Sequence, residues 1–177
     1  SNNNNTTVKY LRNLSKVVNL AKTRGLIQTN PIDLLPLKMQ TVEREFLTQD
    51  ELKRLEEKQI GISRLEQVRD IFLFCCLTGL AYVDVASLNM ENIVEGKRGR
   101  QWLRKARNKT NNMCNIPLLR PALRILEKYA EYRTATGRLL PVPSNQKMNA
   151  YLKELATLCG VTKNLTTHCA KHHTISI

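Results

Sequence analysis

Asn92-Ile-Val-Glu-Gly-Lys-Arg-Gly-Arg-Gln-Trp-Leu-Arg-Lys-Ala-Arg-Asn-Lys-Thr-Asn-Asn-Met-Cys-Asn-Ile-Pro-Leu118 is the stretch on which the fold turns. Ile93-Val94 reads as a short strand, Gly96-Lys-Arg-Gly99 as a turn and Gln101 to Asn108 as a second strand. Asn111-Asn112 reads as another turn and Cys114 to Pro117 as a third strand. The sequence on either side changes to helical periodicity. The expected architecture is therefore mainly α with a small three-stranded antiparallel β-sheet, an α+β arrangement.

Upstream, Thr48 and Glu51 form a capping-box pattern, and Leu47 and Leu52 are placed to staple that helix start. Ser63 and Glu66 repeat the pattern. The helix after them is apolar almost all round (Val68, Ile71, Phe72, Leu73, Phe74, Leu77), which predicts a position at the centre of the core, with Gly79 ending it. Ala81 to Ser87 reads as a short helix. Downstream, Pro121 opens a helix carrying Leu123, Leu126 and Tyr129, and Met148, Tyr151, Leu152 and Leu155 mark another that ends at Gly160. Thr166 or Thr167 is then suited to cap a last helix. Before all of this, Thr6 to about Arg24 reads as an amphipathic helix with Leu11, Leu14, Val18 and Ala21 on one face and Lys9, Arg12 and Lys16 on the other, closed by Gly25. Leu26 to Gln40, with Pro31 and Pro36, reads as a linker. The expected domains are 1–37 and 38–177.

Charge narrows the class of partner. The chain has 28 Lys and Arg against 15 Asp and Glu, a net charge of +13. The cations are segregated. The first acid is Asp33, and the seven basic residues from Lys97 to Lys109 contain no acid among them. Two acid-free basic segments describe a surface for a polyanion. No apolar run approaches the ~20 residues needed to span a bilayer, so no membrane partner is expected. No secretory leader opens the sequence. Its five cysteines, an odd number without a C-x-x-C pair, suit free thiols in a reducing compartment.

Three local sequences sharpen the reading: Leu77-Thr-Gly-Leu-Ala-Tyr-Val-Asp-Val85, Arg107-Asn-Lys-Thr-Asn-Asn-Met-Cys-Asn-Ile-Pro-Leu118 and Leu165-Thr-Thr-His-Cys-Ala-Lys-His172. In this order and setting they resemble the catalytic domain of the tyrosine recombinases, the phage integrase family, over about residues 43–177. The segment before them resembles the last part of that family's helical core-binding domain. The resemblance implies cleavage and rejoining of double-stranded DNA through a 3′-phosphotyrosine, with no metal and no cofactor. It also implies a homo-oligomer on DNA, and a cytoplasmic, DNA-associated protein of bacteria serving a mobile element.

Carried over position by position, the resemblance places Lys109 as the hairpin lysine that protonates the leaving 5′-oxygen. It places His168 first and Lys171 fourth in the family's H-x-x-R motif, and Asp84 at the acid that follows the first arginine. Ala81 stands where that first arginine is expected, and Lys171 keeps a charge but not the planar guanidinium fork. Arg107, two residues before Lys109, points to the same side if both lie on a strand, and so is a candidate to supply the charge absent at Ala81. DNA contacts are expected from Lys9, Arg12 and Lys16, and from Arg100, Arg104 and Lys105. None of the five tyrosines follows the third motif, so the nucleophile is expected outside the given sequence and the chain alone to be inactive. Three alternatives compete: an inactive DNA-binding module or decayed remnant, a type IB topoisomerase, and a metal site at His168, Cys169 and His172. The last is weak, because no Glu lies between the two histidines and no third ligand is obvious.

Overall fold

The computed structural model describes residues 3–41 and 46–172, with the side chains of Arg98, Lys171 and His172 outside that description. The chain divides into two compact units, Ser1–Glu43 and Arg44–Ile177, a boundary a few residues later than the sequence suggests.

In the first unit, helix α1 (Asn4–Thr23) begins at Asn3, whose side chain accepts the Asn5 N–H. It ends in a Schellman turn: Leu26 N–H bonds to Ala21 O, Gly25 N–H to Lys22 O, and Gly25 takes φ +71°. A 3-10 turn follows at Pro31–Leu34, capped by Asn30. The later boundary has a local cause. The Asn5 side-chain amide donates to Gln40 O and accepts from Gln40 N–H, and Asn4 donates to Lys38 O, so 37–40 is strapped back onto α1. The apolar face expected on α1 is only partly covered. Val8 is buried, and Leu11, Val18 and Ala21 are half-buried, but Leu14 is 51% exposed. Among the described residues of this unit, the 3-10 turn and the strap are what α1 has to pack against.

The second unit is built round α3 (Ser63–Thr78). Leu65, Val68, Ile71, Phe72, Phe74, Cys75 and Cys76 are all essentially sealed from solvent, so this helix has no outward face over its middle turns. Burial of each large apolar side chain contributes roughly 2 kcal/mol. Against α3 pack α2 (Gln49–Glu57), α5 (Arg120–Lys128), α7 (Asn145–Leu158) and a 3-10 turn at Cys169–His172. Between α3 and α5 the chain forms α4 (Tyr82–Ala86) and then the sheet, β1 (Ile93–Glu95), β2 (Gln101–Ala106) and β3 (Met113–Pro117), antiparallel in the order β1-β2-β3. Leu103, opposite Ile93 and Ile116, carries the sheet into the core.

Thr48 and Glu51 form the expected reciprocal cap on α2. Ser63 and Glu66 do not. Gly61, at φ +68°, swings the chain so that Ile62 is the N-cap and Ser63 is already inside α3, and Glu66 reaches back to the Gly61 N–H. The Pro121 helix stops at Lys128, and a separate α6 (Ala130–Thr136) follows the break at Tyr129. In place of a helix capped by Thr166 or Thr167, the described residues show the 3-10 turn at Cys169–His172; 173–177 lie outside the description.

Two charged side chains clamp the unit. Asp70 on α3 is buried and accepts from Lys128 Nζ at 2.7 Å, Tyr129 OH at 3.0 Å and Arg69 Nε at 3.3 Å. Burial, reinforced by Asp70, pushes the Tyr129 hydroxyl well above its ordinary value, so it stays a donor. Glu51 accepts from the Thr48 N–H and from Lys163 Nζ at 2.6 Å, and Lys163 also donates to Phe46 O. Burial alone would raise the Glu51 pKa, but Lys163 and Thr48 outweigh it and hold the carboxyl below its ordinary 4.5.

Asp70→Ala leaves Tyr129 and two cations without their shared acceptor and should cost about 2 kcal/mol in urea unfolding. Glu51 has a folded pKa below its unfolded one, so its contribution is full above 4.5 and fades as pH falls through the folded value. Unfolding midpoints measured down an acid series should drop below pH 4.5, and Glu51→Gln should flatten that drop.

Candidate functional site

Strand alternation decides where the basic residues of the sheet point. Leu103 faces the core. Lys105, paired with Cys114, shares that face and is half-buried. Trp102, opposite Val94 and Pro117, and Arg104, opposite Asn115, take the other. Arg104 and Lys105, neighbours in the sequence, therefore present their charges on opposite faces of the sheet. Arg107 continues the side of Lys105, since its Nε–H lies 3.1 Å from Cys114 Sγ.

β2 ends at Ala106, short of the expected Asn108. From Arg107 the hairpin closes as a loop. Arg107 N–H bonds to Asn112 O, Asn111 N–H bonds to Arg107 O, and Asn111 takes a left-handed φ of 55°. Lys109 thus rides on the loop tip and not on a strand, and the i, i+2 argument that aligned it with Arg107 does not apply. Lys109 is exposed, and among the described residues no protein acceptor holds it. An ammonium so placed is available to a ligand.

The first motif meets this loop. Gly79, at φ 64°, ends α3; Leu80 is fully buried; and Ala81 is the extended, half-buried N-cap of α4. Asp84 is buried and accepts the Asn108 N–H at 2.8 Å, while Asn108 Nδ2 donates to Val83 O at 3.1 Å. The residue preceding Lys109 is thereby fastened to α4 by both its backbone and its side chain. At the other edge of α4, the Tyr82 hydroxyl donates to Pro143 O at 2.6 Å, and burial raises its pKa.

The third motif approaches the same end of α3. Leu165 and Ala170 are buried, and Thr167 N–H donates to Asn149 Oδ1 on α7 at 3.0 Å. His168 between them is exposed. Cys169 opens the turn that packs against α3. The Cys75 thiol on α3 is pushed up to about 12, by burial first and by the Asp84 carboxylate second. Lys171 has its backbone in the Cys169–His172 turn. The proposed His168, Cys169 and His172 metal set includes a side chain outside the description; among the described residues no group of three or more His, Cys, Asp or Glu is placed to hold a metal.

Of the other basic residues, Arg100 and Arg104 are exposed on the hairpin. In the first unit Lys9, Arg12 and Lys16 are exposed on α1, but Arg12 is committed to the strap, donating to Leu37 O at 3.3 Å and approaching Met39 Sδ at 3.5 Å. Sequence reasoning missed two residues. Asn108, the anchor of the loop, carries no signal beyond lying beside Lys109. Trp102 had one, because it alternates with Arg100 and Arg104 at strand spacing and so had to share their face.

No protein-family model and no curated protein sequence matches the chain. Solved structures do. A lambda integrase dimer (75-356) bound to a COC′ core site superposes with a TM-score of 0.75, at 18% identity, over 97% of this chain and 63% of that one. The lambda integrase catalytic core gives 0.59 at 17% identity over 74% of this chain and 81% of that one. XerA recombinase gives 0.56 at 19% identity, over 89% and 57%. The chain has the tyrosine recombinase catalytic-domain fold, with its helices and three-stranded sheet. It spans 63% of the length of the integrase dimer's chain. No helix among the described residues is long and apolar enough to cross a membrane.

Asp84→Ala should release the loop that carries Lys109. The amide of Asn108 should exchange with deuterium at least about tenfold faster while the amides of β2 keep their protection, as expected for loss of one part-buried hydrogen bond to a carboxylate.

Proposed function

We propose that the chain is the DNA-binding body of a site-specific tyrosine recombinase or integrase, acting on double-stranded DNA as a homo-oligomer. The observation that carries this reading is the Asp84–Asn108 hydrogen bond. It joins two motifs, 24 residues apart, and fastens the residue before the exposed Lys109 to α4, in a chain of net charge +13. A scissile phosphate fits beside such an ammonium. In the reaction a tyrosine oxygen attacks phosphorus as its proton passes to solvent, the bond to the 5′-oxygen breaks, and a 3′-phosphotyrosyl link is left. Lys109 gives its proton to the departing 5′-oxygen. His168 and Lys171 neutralise the non-bridging oxygens as charge gathers on them. The tyrosine is none of the five in this sequence. Residues 1–37 supply a second basic surface, Lys9 and Lys16 on α1, as the end of a core-binding domain.

Ala81 favours a second reading, a DNA-binding module without cleavage. An alanine at the N-cap of α4 holds no phosphate oxygen.

The two readings separate on the reading frame extended past Ile177, assayed with a nicked duplex that traps the covalent adduct. A recombinase should form a phosphotyrosyl adduct. Lys109→Ala should slow it roughly 10²–10⁴-fold with duplex affinity nearly unchanged. A substrate with sulfur at the bridging 5′ position, which leaves without a proton, should restore most of the rate. Duplex binding that weakens with salt and no adduct from the unaltered protein would leave the binding module standing.

A further inference from the structure

The outward face of the sheet holds a cavity of about 550 Å³, lined by Val94, Gly96, Lys97, Arg100, Trp102, Arg104 and Asn115. That volume suits a small organic ligand. Its lining combines three cations with an aromatic ring and an amide, and includes no acid. Among the described residues, the side chains of Lys97, Arg100, Arg104 and Asn115 and the indole N–H make no hydrogen bond or ion pair to protein. Glu95, the nearest acid along the chain, belongs to the opposite face of β1 by alternation. The ring is held in place. A Cβ on Gly96 would stand 2.5 Å from Trp102 Nε1 and 2.6 Å from Cδ1, so only glycine admits the indole where it lies. Gly96 is itself pinned, its N–H bonding to Arg100 O at 2.7 Å.

Cations alone would suffice for a duplex backbone. An indole and an unpaired amide in the same hollow serve a flat, heteroatom-edged ring, and in a duplex that ring is stacked out of reach. We propose that this cavity binds an unpaired nucleotide of a DNA strand: phosphate on Lys97, Arg100 and Arg104, base against the Trp102 indole, base edge bonded by the Asn115 amide. The assignment rests on the DNA-binding reading only for the source of the strand. It does not depend on cleavage, and it lies on the face of the sheet away from Lys105 and Arg107.

Trp102 is the chain's one tryptophan, so its emission reports on the cavity alone. The whole chain is titrated with oligothymidylate, with an abasic strand of equal length, with a duplex of equal length, with thymidine monophosphate and with polyglutamate. Oligothymidylate should quench the emission and bind about tenfold more tightly than the abasic strand. Asn115→Ala, an exposed position that should fold normally, should narrow that gap several-fold. Trp102→Leu, followed by anisotropy of a labelled strand and checked for an unchanged melting temperature, should abolish it. Equal binding of the abasic strand or equal quenching by the duplex overturns the proposal, as does polyglutamate competing at equal charge. Thymidine monophosphate binding as tightly as the strand overturns the assignment to a strand. Duplex affinity read by anisotropy is the separate measure of the DNA-binding reading. Its loss with the oligothymidylate preference intact would defeat that reading and leave the cavity's assignment in place, and the reverse result would defeat the cavity's assignment alone.

Discussion

A helix that is apolar on every side cannot end a structure; it has to be enclosed. α3 imposes that condition on the rest of its unit. Ile71, Phe72, Leu73 and Phe74, consecutive and so spread round its axis, are all buried, so α2, α5, α7 and the Cys169–His172 turn come to it from different sides. The polar exceptions on α3 obey the same constraint. Asp70 is tolerated inside because a lysine, an arginine and a tyrosine hydroxyl converge on it, which turns a costly buried charge into a joint between α3 and the α5–α6 break.

The same enclosure brings distant chemistry together. Where α3 stops at Gly79, the Asp84 carboxylate is close enough to bear on Cys75, and the Cys169–His172 turn, which follows His168, packs against the same helix. No long-range electrostatic steering is needed for this. The elements that bury α3 also deliver the polar residues next to them, and Asp84 and Val83 O then hold the hairpin loop through Asn108. Cys75 and Cys76 pack between these parts as small apolar groups, their thiols pushed up by burial and so unreactive.

Much of this was legible in the residues. The all-round apolar run 68–77 announced its central place, and Thr48 with Glu51 announced the start of α2 in both halves of its reciprocal bond. Turn residues and alternation located three strands, and motif order pointed to the fold that solved structures share. The misses were places where one backbone angle overrode a side-chain pattern. Gly61 shifted the start of α3 and undid the second capping box. Asn111 closed the hairpin early enough to take Lys109 off the strand. The partnership of Asp84 with Asn108 could not be read at all, since nothing in either residue's neighbourhood names the other. The two faces of Arg104 and Lys105, by contrast, follow from parity alone, and listing them together as one surface overlooked it.

Position 81 shows how separately a scaffold and its chemistry can drift. Its backbone is extended and its side chain half-buried at a helix entry that no side chain caps, while its neighbours Leu80 and Asp84 are sealed inside. Packing fixes those neighbours, and the Tyr82 hydroxyl is bonded to Pro143 O, but the side chain at 81 makes no such bond. The side chain at this one site can therefore change while the body round it stays intact.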